Sequence, residues 1–368
     1  MKLKIPKRQK VIKDHRKGGG RVAAVFPIHY PRELLRGHGF LPVEVWGPPG
    51  IDDSPAGQHL QAYTCAIVRN GLSFFLQGGL DEVDVVVVPN ACDSLQGLGS
   101  VLLDFVNRRI PVVTFYPPRA TRPSDSEYLQ RELASMGEKL SKISGVSPSP
   151  AELREAIARE VEADELLASL HSRRKELPLD DAGLYWLLRS REYLPAEQFS
   201  EIAREVLDEV DDEDGAPGAT DKRKGTPIVV SGIVPEPMEI FETLGEIGAV
   251  VAADDLACCG RRLYPAGLSD EPLRRIGERL MGGPPDPMRG SPIQLRIQHL
   301  KRLVRESGAK GVVFYDVKFC EPEQFDLPLI REALKADGVP SVALEVDLSN
   351  QLPGQTVTRL EAFVEMLR

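Results

Sequence analysis

Eight short apolar runs, grouped four and four around a strand-free middle, limit what this chain can fold into. Residues 21–27, 42–46, 83–89 and 111–116 form the first group, and 227–234, 249–253, 311–317 and 340–346 the second. Each is rich in Val, Ile or Ala without strict alternation. That pattern suits strands buried on both faces of a parallel sheet, with helices as the crossovers. The expected fold is therefore α/β, two parallel-sheet blocks of Rossmann-like or flavodoxin-like kind with a helical section between them. The expected division is a basic arm at 1–20, a first α/β domain at 21–124, an acidic helical section and linker at 125–225, and a second α/β domain at 226–368. At roughly 100 to 200 residues per domain, 368 residues are enough for this.

The middle section shows helix signals instead of strands. In Pro148-Ser149-Pro150-Ala151-Glu152, Ser149 is placed to cap a helix that has Pro in its first turn. A second start is expected at Pro195-Ala196-Glu197. The stretch 211–226, with its acid run, Gly215, Pro217 and Gly218, reads as an exposed linker. Two copies of a four-stranded block would amount to a structural duplication.

Composition removes several function classes. A net charge of −9 argues against a nucleic-acid partner, since phosphate neutralisation needs a basic surface. Residues 151–214 hold 19 Asp and Glu against 8 Lys and Arg, which reads as a solvated helical layer. No apolar run approaches the roughly 18 residues of a membrane span, and the basic opening lacks the apolar segment of a signal peptide. The basic opening itself reads as a mobile arm. Five cysteines are too few for a disulfide scaffold and odd in number, which points to a reducing cytoplasm.

The cysteines also carry the candidate chemistry. Ligands of open parallel sheets sit beyond the carboxyl ends of the strands. Cys92 follows the third run, Cys320 follows the seventh, and Cys65 is placed to open the helix before the third strand. Two belong to the first block and one to the second, so they converge only in a cleft between blocks. Read singly, each is a small buried hydrophobe. Cys258 and Cys259 are adjacent, so their side chains are expected to diverge and to be buried separately. Gly18-Gly19-Gly20 lacks a preceding strand and a Lys-Ser/Thr ending, so it is not a phosphate loop.

Several segments together resemble the 2-hydroxyacyl-CoA dehydratase and benzoyl-CoA reductase family. They are Phe26-Pro27-Ile28-His29-Tyr30-Pro31-Arg32-Glu33-Leu34, Gly37-His38-Gly39, Pro42-Val43-Glu44, Cys65-Ala66-Ile67-Val68-Arg69 and Asn90-Ala91-Cys92-Asp93. Asp254-Asp255 ahead of Gly260-Arg261-Arg262, Lys318-Phe319-Cys320-Glu321 and Thr358-Arg359-Leu360-Glu361-Ala362-Phe363 complete the series.

The resemblance implies that Cys65, Cys92 and Cys320 are ligands of a 4Fe-4S cluster, with one iron left open. It implies an acyl-CoA thioester as substrate and one-electron reduction of its carbonyl to a ketyl radical. The radical would expel a 2-hydroxyl or, in an aromatic acyl-CoA, begin ring reduction. It further implies a related cluster-bearing subunit as partner, or a homodimer, and a separate ATP-dependent iron–sulfur activator. His29 is placed to donate a hydrogen bond to the thioester oxygen and Glu44 to handle a proton, against the alternatives of a satisfied loop histidine and a solvated glutamate. Lys318 and Glu321 flank Cys320, with surface placement as their alternative, and Asp93 is placed to cap the helix after Cys92. Two other readings stay open. One is a double-cubane-type reductase of small molecules, whose larger cluster needs more cysteines than these three. The other is a non-catalytic electron-relay or scaffold subunit.

Overall fold

The computed structural model describes residues 3–106, 110–213 and 223–368. The first block runs α1 (Arg8–Lys17), β1 (Arg21–Val25), α2 (Arg32–Gly37), β2 (Phe40–Glu44), α3 (Ala66–Leu76), β3 (Val85–Pro89), α4 (Asp93–Asp104) and β4 (Val112–Phe115). Four helices follow: α5 (Pro123–Ser144), α6 (Pro150–Ser172), α7 (Asp181–Ser190) and α8 (Ala196–Glu213). The second block runs β5 (Thr226–Gly232), α9 (Glu239–Glu246), β6 (Ala249–Leu256), α10 (Pro272–Gly282) and α11 (Ile293–Ser307). It closes with β7 (Gly311–Val317), α12 (Glu321–Ala336), β8 (Ser341–Val346) and α13 (Gly354–Leu367).

Both sheets are parallel and share one topology, β2-β1-β3-β4 in the first and β6-β5-β7-β8 in the second. The strand order reverses between β1 and β3 and again between β5 and β7. These are the places where an α/β sheet opens a crevice at its carboxyl edge.

The strands read as continuous apolar runs because both their faces are covered. Val22, Ala24, Val86 and Val88 face a central core that also receives Ile228, Val230, Val313 and Tyr315 from the second sheet. The alternate residues Ala23, Val25, Val85 and Val87 pack under α5 and α6. In the second sheet, Val229, Val312 and Phe314 pack under α11 and α12. The period-2 alternation of strand side chains thus lands on two apolar surfaces.

The helical section is divided between these layers. Leu129 and Leu133 of α5 and Leu153 and Ile157 of α6 cover the outer face of the first sheet, whereas Tyr185 of α7 and Phe199 of α8 enter the central core. Ile276 and Leu280 of α10, which lie in the second half of the sequence, also pack on that outer face of the first sheet. Ser149 caps α6 as its sequence suggests: Glu152 donates its backbone N–H to Ser149 Oγ, and Ser149 donates its own to the Glu152 carboxylate.

Two expectations shift at this level. Residues 8–17, read as a mobile arm, form α1 and dock on the first block, with Val11 buried and Arg16 2.9 Å from Asp84, while Arg8 reaches Glu192 of the helical section at 2.8 Å. Residues 211–213, read as linker, continue α8, and 214–222 of that linker lie outside the described residues.

Candidate functional site

Cys65, Cys92 and Cys320 line one small, partly open cavity. Each occupies the N-cap position of a helix, Cys65 of α3, Cys92 of α4 and Cys320 of α12. Cys92 and Cys320 hold equivalent places in the duplicated topology, each directly after the third strand of its block. Three helix N-termini therefore meet at one point. Their unpaired N–H groups and aligned peptide dipoles favour negative charge there. Ile67 and Val68 direct backbone N–H groups at the Cys65 sulfur, and Ser94 and Leu95 do so at Cys92. Asp93, expected as the cap of α4, is instead its first residue, because Cys92 takes the cap position.

The remaining walls are apolar and come from both blocks. Ile28, Trp46 and Leu95 belong to the first, and Ile233, Met288 and Phe319 to the second. The Cys65 and Cys320 thiols act on each other, which draws the Cys65 thiol below its ordinary pKa, aided by the two N–H groups, and pushes the Cys320 thiol up. Burial pushes the Cys92 thiol up to about 12. Phe319, next to Cys320, has φ of 62°, and His29, next to Ile28, has φ of 61°. These are uncommon values for non-glycine residues, and both fall in loops that deliver cavity-lining residues. Glu321 sits exposed at the cavity edge, and Lys318 lies across the Phe319 ring at 5.2 Å.

His29 and Glu44 lie behind this wall. His29 is 3% exposed and lines a neighbouring polar cavity with Tyr30, Arg32, Tyr264 and Arg279. Its Nε2 is 3.5 Å from Asp286 and its Nδ1 3.4 Å from the Tyr264 hydroxyl, and burial lowers its pKa. Glu44 is fully buried, which removes the solvated reading. Its carboxylate accepts from the Tyr30 hydroxyl at 2.6 Å, Trp46 Nε1 at 2.9 Å, Arg32 at 3.2 Å and Arg262. Burial alone would raise its pKa, but Arg262 and Arg32 outweigh that and hold it below the ordinary carboxylate value.

Sequence reasoning missed the charged layer that this pair belongs to. Arg279 reaches Glu33 at 2.5 Å and Asp164 at 2.7 Å, and Arg191 reaches Glu160 at 2.5 Å and Asp164 at 3.0 Å. Arg261 binds Asp255 at 3.0 Å and also Glu323, three residues beyond Cys320. Of these, Glu33 and the Asp254-Asp255 and Gly260-Arg261-Arg262 segments had a visible signal in the sequence, and Asp164, Glu160, Arg191, Arg279 and Glu323 had none.

Cys258 and Cys259 do not line the cysteine cavity, and contrary to expectation their sulfurs converge, 3.5 Å apart. Among the described residues, no group of three or more His, Cys, Asp or Glu is arranged to hold a single metal ion, and no helix is long and apolar enough to cross a membrane.

The chain is 26% identical over 370 residues to the lactoyl-CoA dehydratase subunit beta of Anaerotignum propionicum, covering 98% of this chain and 95% of that one. It is 25% identical over 359 residues to the (R)-2-hydroxyglutaryl-CoA dehydratase subunit beta of Acidaminococcus fermentans, covering 95% and 93%. To a benzoyl-CoA reductase subunit of Thauera aromatica it is 23% identical over 335 residues, covering 88% and 85%. The family described as 2-hydroxyglutaryl-CoA dehydratase, D-component, matches residues 27–367. With that match running from the loop after β1 to the end of α13, the chain belongs to the 2-hydroxyglutaryl-CoA dehydratase D-component family, which joins dehydratase and benzoyl-CoA reductase subunits.

Proposed function

We propose that this chain is an iron–sulfur subunit of a 2-hydroxyacyl-CoA dehydratase or benzoyl-CoA reductase-like enzyme, with Cys65, Cys92 and Cys320 holding a 4Fe-4S cluster. The observation that carries the reading is the meeting of three N-cap cysteines, drawn from both sheets, on one apolar-walled cavity. The donor set suits the group, since thiolates are the usual protein ligands of such clusters. Converging helix N-termini supply positive potential for a site of net negative charge. A bound cluster would supply single low-potential electrons to an acyl-CoA thioester carbonyl. The chain's own residues fix the thiolates through their N–H groups and keep water out with Ile28, Trp46 and Met288.

His29 and Glu44 are assigned supporting parts. His29 retains a donor for the thioester oxygen only if the Ile28 wall moves aside, and Glu44 reaches a transferable proton only through Tyr30. Their place behind the wall favours a second reading, in which this subunit relays electrons to a related partner that binds the substrate. The beta-subunit names of two relatives support a multisubunit assembly, and a separate ATP-dependent activator and a cytoplasmic setting belong to the same proposal.

Anaerobically purified protein is expected to hold about four irons per chain. Cys65→Ala, Cys92→Ala and Cys320→Ala should each lose that iron, whereas Cys258→Ser and Cys259→Ser should keep it. Full iron in all three alanine variants overturns the ligand set. In the loaded protein, a spectrum altered by an acyl-CoA and not by free CoA supports catalysis at this site, and no response to either supports the relay.

A further inference from the structure

We propose that Cys258 and Cys259 form a vicinal dithiol that a peroxide-class oxidant converts to a disulfide between neighbouring residues. Side chains of adjacent residues in a strand point to opposite faces. Here the chain leaves β6 at Leu256 and turns sharply, with the Cys258 N–H donating to Ile233 and the Cys259 N–H to Leu256. Cys259 adopts φ −131° and ψ −93°, outside the helix and strand regions. The turn swings both sulfurs to one side, 3.5 Å apart, with each residue 1% exposed. A Cβ on the following Gly260 would meet the Asp254 carbonyl oxygen at 2.3 Å, so the backbone that sets this geometry is tightly held.

Two thiols already in contact need little motion to bond. One thiol reduces hydrogen peroxide, taking one oxygen to become a sulfenic acid and releasing water. The neighbouring thiol then attacks that sulfur, forming the S–S bond and releasing a second water. The pair supplies two electrons and two protons, and the peroxide leaves as two waters. Adjacent Cα atoms lie about 3.8 Å apart across a trans peptide. Disulfides usually span about 4.4 to 6.8 Å, so the product is readily reduced and the site reverts with a thiol reductant. The iron–sulfur reading uses neither residue, and this inference stands apart from it. The turn also delivers Arg261 and Arg262, and Arg262 reaches across to Glu44 of the first block.

The sequence provides a clean readout. Between Lys224 and Arg261 there is no other Lys or Arg, and the tryptic peptide 225–261 contains Cys258 and Cys259 as its only cysteines. The purified full chain is treated with hydrogen peroxide, unfolded, alkylated with iodoacetamide and digested. The expected peptide is unalkylated and about 2 Da lighter than the dithiol, the two hydrogens lost on forming the bond. Dithiothreitol before alkylation should restore the doubly alkylated form. Cys258→Ser, whose remaining thiol has no neighbour, should give no such lighter peptide. A peptide that stays doubly alkylated, or that gains oxygen on separate sulfurs, overturns the proposal.

Discussion

Two buried carboxylates show how neighbours decide ionisation at the scale of one residue. Glu44 is ringed by four donors and stays charged, whereas Asp316, 3% exposed at the end of β7, is pushed up to about 7 by burial. Glu323 and Glu345 push it the same way, against Arg261 and Arg296. The folded state therefore holds the Asp316 proton more tightly than the unfolded chain, whose Asp titrates near 3.9. The contribution is fully present below about pH 4 and is lost as pH rises through about 7. Asp316→Asn should accordingly stabilise the protein at pH 8, on the order of 1 to 3 kcal/mol, and change it little at pH 4. Urea midpoints at the two pH values check this, and an equal shift at both would sink it. What the sequence could not show is which of these charged residues meet. Arg262 and Glu44 are 218 positions apart, and spacing carries no trace of a partner that only the fold brings near. The convergence of Cys258 and Cys259 was hidden for the opposite reason, since a local rule predicts divergence and an unusual turn overrides it.

At the scale of elements, all eight apolar runs are strands, because strands with two covered faces leave an unbroken apolar signature. One strand runs past its expected end on buried charge. The run read at 249–253 continues as β6 to Leu256 because Asp254 is paired with Arg174 at 2.8 Å and Asp255 with Arg261 at 3.0 Å. The placement of Cys92 and Cys320 just after strand ends, and of Cys65 at the start of α3, was legible as well, since it follows from chain order alone. Cys65 was also placed at a helix start, whereas the cap of α4 was expected at Asp93 and falls on Cys92. The cap of α6 was legible and is testable. Ser149 and Glu152 close a reciprocal box at the start of a helix whose Leu153 and Ile157 cover the first sheet. Ser149→Ala should cost about 1 kcal/mol, and Ser149→Asp should recover most of it. Equal loss in both variants, measured by denaturant unfolding, would mean that the hydroxyl is not acting as a cap.

At the scale of the whole molecule, the two blocks are joined in ways that do not require a metal. One central core takes residues from both sheets, and α10 crosses to cover the outer face of the first. Buried ion pairs run across the same boundary, Arg262 to Glu44 and Arg279 to Glu33 at 2.5 Å, and Arg174 ties the helical section to Asp254 of the second block at 2.8 Å. Such pairs add little net stability against well-packed apolar replacements, but breaking one leaves a buried charge and costs several kcal/mol, so they fix how the parts seat. The iron-free chain should therefore remain folded. A cluster held by Cys65 and Cys92 from the first block and Cys320 from the second binds only the folded state, so it raises stability by mass action. Iron-loaded protein should unfold at higher denaturant than iron-free protein, by 2 kcal/mol or more on the order expected for a ligand held well above its dissociation constant. Cys320→Ala should remove that gain while unfolding within about 2 kcal/mol of the iron-free parent, since the loss of one small buried side chain is modest. If Cys320→Ala retains the full gain on iron loading, the second block is not bonded to the metal. If iron-free protein is unfolded outright, the shared core and the ion pairs do not hold the blocks together on their own.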